Sequence, residues 1–477
     1  MTNVPKILNY IIYSPRSPVT LDLYEAERYE PAIIVQSLVG NLVYYSNQGR
    51  YEPRLAKQWE RTSPDKWEFK LHDGLLCENG EKINAESFRE SLFRTIRYLA
   101  KSGDVPILSD LEGYEQFLSG RKEISGITFL NNTIMFKFRK PVRDGLVQIL
   151  SFAPFGYICK ENLKEDGSWK DETKFISSGP YKIMKVDIGT EYIIEKRPEW
   201  NLDFSKNAPD QIRFLHKMPS EMSENEEWIF DSFTNNVNAP EKLTKYPLVP
   251  EYISPIIFGN LQHGYFSNLN NRLYIKDLIA KHRSNLPETW GPHSRSSRFY
   301  PGQNNFAKAA TASIPKLTLP NYDLVIEGTE PTEDTTPRSY SWNVLKVALN
   351  EAGIKYKFAG NDSTSKDVNN PNYDIRIRGS SIGGGVEAWG LRVLFCSDLG
   401  PNFPDPSGRI CKAIVDYEGD RLSEIEFANR FLETVDSDCA IVPISHYGIQ
   451  LYLSSGIMRE SLSPALAILR FDKMDIR

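Results

Sequence analysis

The sequence predicts an α/β protein folded as two or three domains. From Leu317 onward, strands and amphipathic helices alternate with short connections, the pattern of a parallel sheet covered by helices. Residues 51–92 give strand, turn, short strand and capped helix in succession. A chain of 477 residues also exceeds what one hydrophobic core usually serves.

Local chemistry justifies each element in turn. Residues 6–13, KILNYIIY, are an apolar run that reads as a first strand and ends in Ser14-Pro15-Arg16-Ser17-Pro18. Residues 32–45 read as an apolar helix. Trp67, Phe69 and Leu71 alternate with Glu68, Lys70 and His72, the period of a strand with one buried face. Asp73-Gly74 and Asn79-Gly80 are turn dipeptides, and Asn84 precedes Ala85-Glu86-Ser87-Phe88 as a helix cap. Residues 90–118 read as helical and 124–138 as a pair of strands. Gly179-Pro180 reverses the chain ahead of a strand whose first position tolerates proline.

In the second half, residues 269–282 form a helix, and 284–314, rich in Pro, Ser, Asn and Gly, a long surface excursion. A strand at 323–327, a helix at 341–352 stopped by Gly353 and a strand at 354–358 follow. Residues 372–378 and 439–447 complete the strands, with a helix at 424–434 between them. Cys77, Cys159, Cys396, Cys411 and Cys439 are odd in number and lack CxxC or Cys/His spacing. Buried single thiols are expected, a Cys396–Cys411 disulfide being the less favoured alternative.

Several of these residues also carry a resemblance. Pro53, Leu55, Ala56 and Trp59, then Trp67, Phe69, Leu71, Asp73 and Gly74, then Asn79-Gly80 and Asn84 to Phe88, are similar to the signature of extracellular solute-binding protein family 5. Members include the dipeptide-, oligopeptide- and nickel-binding receptors of ABC importers; their pattern has Phe where Cys77 stands. The resemblance implies a bilobal, periplasmic-binding-protein-like clamshell of type II, with an extra subdomain at about 40–172. Lobe I would cover 1–258, lobe II 259–441, and 442–477 would return to lobe I. It further implies capture of an oligopeptide or an acidic, peptide-like small molecule in an inter-lobe cleft by a monomer, for a transporter permease. A cytosolic or signalling binding protein without the transporter is the alternative.

The same resemblance supplies candidate ligand contacts. Arg16 lies in the loop after the first strand and either meets an anionic ligand group or is solvated. Ser177 and Ser178, beside Gly179-Pro180, either offer backbone groups at the cleft edge or build a structural turn. Counting back from Phe395-Cys396-Ser397-Asp398 puts Ser381 and Gly384 where peptide receptors carry an aromatic and an acidic anchor, so both anchors are missing. A carboxylate facing a buried ammonium contributes about 2–5 kcal/mol, which weighs against ordinary capture of a peptide amino terminus. Gly383, Gly384 and Gly385 expose amides for a ligand or make a tight connection, and Glu387 is the nearest substitute acid. Arg378 stands where some receptors meet acidic ligand groups, or else pairs with Glu387 or Asp374. Trp389 stacks on a ligand or packs a helix, and His446 lies just past the return crossing.

Other classes are disfavoured. A net charge of −5 opposes nucleic-acid binding, and no stretch reaches the roughly 18–20 apolar residues of a membrane span. There is no GxSxG elbow, P-loop or GxGxxG after a strand, and the six histidines show no HExxH spacing. No enzyme activity, cofactor or metal is therefore expected. Residues 1–24 lack the pattern of a secretory signal; a periplasmic or extracellular, membrane-associated location is expected if one was removed, and a cytoplasmic one otherwise.

Overall fold

In the computed structural model the chain divides into two units. Unit 1 is built from Met1–Ser102, Ile107–Leu248 and Ile449–Arg477, unit 2 from Gly103–Pro106 and Val249–Gly448. The structure describes residues 5–12, 20–23, 29–46, 50–101, 107–171, 173–217, 219, 221–232, 239–246, 252–282, 317–331, 337–360, 372–381, 388–396, 403–447, 450–462 and 469–477. The excursion expected at 284–314 lies outside them.

Unit 1 begins with β1 (Ile7–Ile12) and α1 (Tyr29–Leu38). The helix does not extend to Tyr45 as the apolar run suggests. Gly40 donates its amide to Ser178 Oγ at 3.0 Å, and a Cβ there would lie 2.6 Å from the Ser178 carbonyl oxygen. Residues beyond this contact form β2 (Val43–Tyr45), antiparallel to β3 (Tyr51–Pro53). Then come β4 (Ala56–Ser63), β5 (Lys66–Leu71), β6 (Leu75–Leu76) and β7 (Lys82–Ile83). Trp67, Phe69 and Leu71 on β5 are buried, as their alternation predicts.

Asn84 caps α2 (Ala85–Ala100) reciprocally: its side chain accepts from Ser87 N at 2.9 Å while Ser87 Oγ accepts from Asn84 N at 3.0 Å. Such a box is worth about 1 kcal/mol. The helical run expected through Leu118 is broken, since Ile107 (φ 75°) and Gly113 (φ 79°) sit at positive φ, and a single 3-10 turn (Leu108–Asp110) and the short α3 (Tyr114–Leu118) follow. Next, β8 (Ile127–Leu130) and β9 (Thr133–Lys137) join through Asn131 and Asn132, both at positive φ, which suits the twist of a two-residue hairpin. They complete a sheet ordered β4-β5-β9-β8. After α4 (Gly145–Ile149) come β10 (Tyr181–Asp187), β11 (Glu191–Lys196), β12 (Gln211–Leu215), β13 (Glu227–Ser232) and β14 (Thr244–Tyr246).

Unit 2 contains β15 (Tyr252–Phe258), α5 (Leu269–His282), β16 (Leu324–Ile326), α6 (Pro337–Glu351), β17 (Tyr356–Phe358), β18 (Ile375–Ile377) and β19 (Ser380–Ser381). It closes with α7 (Ala388–Cys396), α8 (Arg409–Glu418), α9 (Glu424–Asp438) and β20 (Ile441–Tyr447). The helix α8 was not anticipated from the sequence. β16 runs parallel to β17 and β18, as the strand–helix alternation predicts, and β15 lies antiparallel to β18, β19 and β20. Ile253, Ile257 and Ile441 pack with residues of α7, α8 and α9, whereas Ile256, Phe258, Val442 and Ile444 join the cluster of α5 and α6. The two faces of one strand pair thus seed two cores. β15 and β20 pair inside unit 2.

The returning chain supplies β21 (Gln450–Leu453) to the seven-stranded sheet of unit 1, ordered β10-β11-β12-β1-β13-β21-β14. β1 is parallel to both β12 and β13. Its near-continuous apolar sequence is that of a strand covered on both faces, and Tyr10 donates its hydroxyl to Asp231 at 2.8 Å.

Cysteine usage departs from the expectation of single thiols. Cys77 pairs with Cys159 and Cys396 with Cys411, with Cα atoms 6.2 Å and 5.5 Å apart; Cys439 stays free and buried. The first bridge joins positions 82 residues apart, a closure that spacing alone does not reveal. Burial pushes the Cys439 thiol up to about 11. Thiol titration without reductant should therefore count none in the native protein and one in denaturant; five would contradict the assignment. Reduction should lower stability by about 2–4 kcal/mol for the long-loop bridge, read by denaturant unfolding.

Candidate functional site

The turn before β10 is the part of the expected site that is described in full. Leu38 O accepts from Ser177 Oγ at 2.7 Å, from Ser178 N at 3.1 Å and from Gly179 N at 2.8 Å. Ser178 Oγ donates to Tyr157 O at 2.5 Å, and Ser177 N donates to Glu78 Oε2 at 3.1 Å. A Cβ on Gly179 would lie 2.7 Å from the Leu38 carbonyl carbon, so only glycine fits there. Arg197 closes the turn from the other side: Nη1 donates to Ser177 O at 2.8 Å and to Gly179 O at 3.0 Å, and Nη2 to Leu76 O at 2.5 Å. Burial lowers its guanidinium below the ordinary value, opposed by the charges of Glu199 and Glu78. Ser177 and Ser178 have no exposed surface. Their hydroxyls hold backbone, the structural role that the sequence left open, and Arg197 is a member of this network that the sequence did not point out.

In unit 2 the polar groups collect where β16 and β18 end. Open α/β sheets take ligands beyond the carboxyl ends of their strands. Arg378 follows β18, is exposed and makes no ion pair among the described residues. Asp374 is not its partner, because that carboxylate accepts from Tyr322 Oη at 3.0 Å and from Val325 N at 2.9 Å. Two residues earlier, Arg376 is buried and grips Glu327 in a fork, Nε to Oε2 and Nη2 to Oε1 both at 2.5 Å. Its guanidinium also sits 4.5 Å from the Tyr373 ring centroid.

Of the remaining candidates, His446 lies on β20 opposite Ile253, and Trp389 lies in the first turn of α7. Only the backbone of these two is described. Arg16, Gly383, Gly384, Gly385 and Glu387 lie outside the described residues. Thus the structure brings Ser177 and Ser178 together in unit 1 and places Arg378 at a strand end of unit 2. Among the described residues no three His, Cys, Asp or Glu side chains gather as a metal site.

Comparison with known proteins agrees with the signature read from the sequence. Residues 50–228 match the family model of bacterial extracellular solute-binding proteins, family 5 Middle. The match covers that segment of the 477-residue chain. It is 21% identical over 203 residues to the periplasmic murein peptide-binding protein MppA of Escherichia coli and 22% identical over 209 residues to the periplasmic oligopeptide-binding protein OppA of Haemophilus influenzae. Those alignments cover 42% of this chain but only 37% and 38% of the relatives.

The fold match is far longer. The structure of E. coli MppA aligns with 99% of this chain and 98% of its own at a TM-score of 0.69 and 16% identity. H. influenzae OppA in complex with RPPGFSPFR gives 0.69 at 14% identity, over 99% of each chain. NikA of Brucella suis in complex with Fe(III)-EDTA gives 0.72 at 15% identity, over 99% of this chain and 100% of its own. The fold is that of the periplasmic binding proteins.

The buried fork of Arg376 and Glu327 yields a stability prediction. Glu327→Gln removes the countercharge of a guanidinium that is 2% exposed and should cost about 3–5 kcal/mol. Arg378→Ala removes an exposed side chain and should change stability by less than about 0.5 kcal/mol. Denaturant unfolding of the two variants checks the contrast.

Proposed function

We propose that the chain is a substrate-binding protein that captures an oligopeptide, or an acidic peptide-like solute, for import by an ABC transporter. The observation that carries this reading is the family match over 50–228 joined to a periplasmic-binding-protein fold over 99% of the chain. Relatives of this fold hold solutes as different as a nonapeptide and Fe(III)-EDTA, so the fold alone names no ligand. Ligand selectivity in this reading rests with Arg378, the glycine run at 383–385, Glu387 and Trp389, with Arg16 and His446 as further contacts. Ser177 and Ser178 act indirectly by fixing the turn that precedes β10.

The two disulfides support export, since such bonds persist in oxidising compartments and are rare in the cytosol. They weigh against the cytosolic alternative. The missing acidic anchor at Gly384 carries a second consequence: the peptide α-amino group should contribute little to binding. Calorimetry with a bound peptide and its N-acetylated form should give affinities within about threefold of each other. A tenfold or larger loss on acetylation would mean that another carboxylate takes the amine, because 1.4 kcal/mol corresponds to a factor of ten. In scattering experiments, saturation with that peptide should reduce the radius of gyration, as ligand-driven closure requires. An unchanged profile at saturation counts against the receptor reading.

A further inference from the structure

A second polar site lies wholly within unit 1. Arg54, next to the Pro53 that ends β3, is 3% exposed at its side chain, and Arg470, near the C-terminus, is 4% exposed. Nε, Nη1 and Nη2 of both are buried without a hydrogen-bond partner among the described residues, as is Trp200 Nε1. One carboxylate faces them: Asp472 Oδ1 lies 3.6 Å from Arg54 Nη2, too far for a hydrogen bond.

The aromatic rings around these cations are shared. Arg54 lies 5.7 Å from the Trp200 ring centroid and 5.9 Å from that of Tyr44; Arg470 and Lys473 lie 5.1 and 5.9 Å from Tyr44. Such contacts attract cations but satisfy no N–H donor. Burial, and then the neighbouring charge of Arg54, push the Arg470 guanidinium well below its ordinary value, with Asp472 and Tyr44 acting in the opposite direction.

Beside this cluster is a pocket of about 310 Å³ whose wall includes Tyr44, Arg54, His72, Trp200, Asp472 and Lys473. Asp203 also borders it, and its carbonyl accepts from Lys473 Nζ at 2.6 Å. Arg54, Arg470 and Lys473 against Asp472 and Asp203 leave one positive charge in excess. Glu52 does not cancel it, being held by the Tyr44 hydroxyl at 2.8 Å and by Arg50 Nε at 3.1 Å.

We propose that this pocket binds a phosphate-type oxyanion, free or carried on a small organic molecule, through the Arg54 guanidinium, with Arg470 adding charge behind Tyr44. Buried polar groups are rarely left unpaired, because each orphaned donor forfeits its hydration without a replacement. A planar guanidinium fork matches the oxygen pair of a phosphate or sulfate, which accepts where Asp472 stands too far away. The pocket lies inside unit 1, so the proposal does not rest on solute capture for import.

The test uses the full chain and titrates it calorimetrically with inorganic phosphate, sulfate, glycerol phosphate and chloride at matched ionic strength. Saturable one-to-one binding of phosphate or glycerol phosphate, without a comparable chloride response, is expected; the stronger of the two identifies the source. Arg54→Met should weaken binding about ten- to a hundredfold, the worth of one or two charge-assisted hydrogen bonds. Should Arg54→Met fail to fold, Arg54→Lys keeps the charge, loses the fork and should weaken binding at least several-fold. Wild-type protein that binds none of the oxyanions beyond the chloride response, or a folded Arg54→Met that binds unchanged, overturns the proposal.

Discussion

Unit 2 depends on one strand pairing, that of β15 with β20. These strands lie far apart in sequence, yet Tyr252 opposes Tyr447 and Ile257 opposes Ile441, with a register shift between Ser254 and Pro255. The pair sends Ile253, Ile257 and Ile441 to one hydrophobic cluster and Ile256, Phe258, Val442 and Ile444 to the other. Burying an aliphatic or aromatic side chain of this size contributes about 1.5–3 kcal/mol. A slip of one residue would invert both faces at once, so the register is strongly specified. Every described α-helix of the unit packs against one or other of these clusters.

Unit 1 obeys the same rule around β1, which lies parallel between β12 and β13 and closes its core with residues of the returning chain. Leu8, Tyr10 and Ile12 share a cluster with Leu451, Leu453 and Phe471. The last segment is therefore part of the first unit's core. Where polar chains are buried here, the outcome turns on whether acceptors are at hand. Arg197 finds three carbonyl oxygens and locks the 177–180 turn; Arg54 and Arg470 find none among the described residues.

The fold was legible in the sequence where its signals are local. The alternation of Trp67, Phe69 and Leu71, the cap at Asn84 and the Gly353 stop after α6 each rest on neighbours a few residues apart, and each appears as read. What escaped depends on distant partners. Gly40 ends an apolar run because Ser178 occupies the space a side chain would need. Cys77 looked like a substituted packing position, yet it meets a cysteine 82 residues on. The odd cysteine count hid two pairs and one buried thiol. In the candidate site, Arg378 was singled out for its place at a strand end, but the buried charge of that strand is Arg376, whose partner Glu327 follows a different strand.

The central claim is that this chain holds a solute without transforming it. Native mass spectrometry of protein purified under non-denaturing conditions, and again after exposure to a peptide and acidic-metabolite mixture, tests that most directly. The account predicts one solute per chain, released on denaturation with its mass unchanged. A chain that retains no member of the mixture, or that releases a bond-cleaved product, would contradict it.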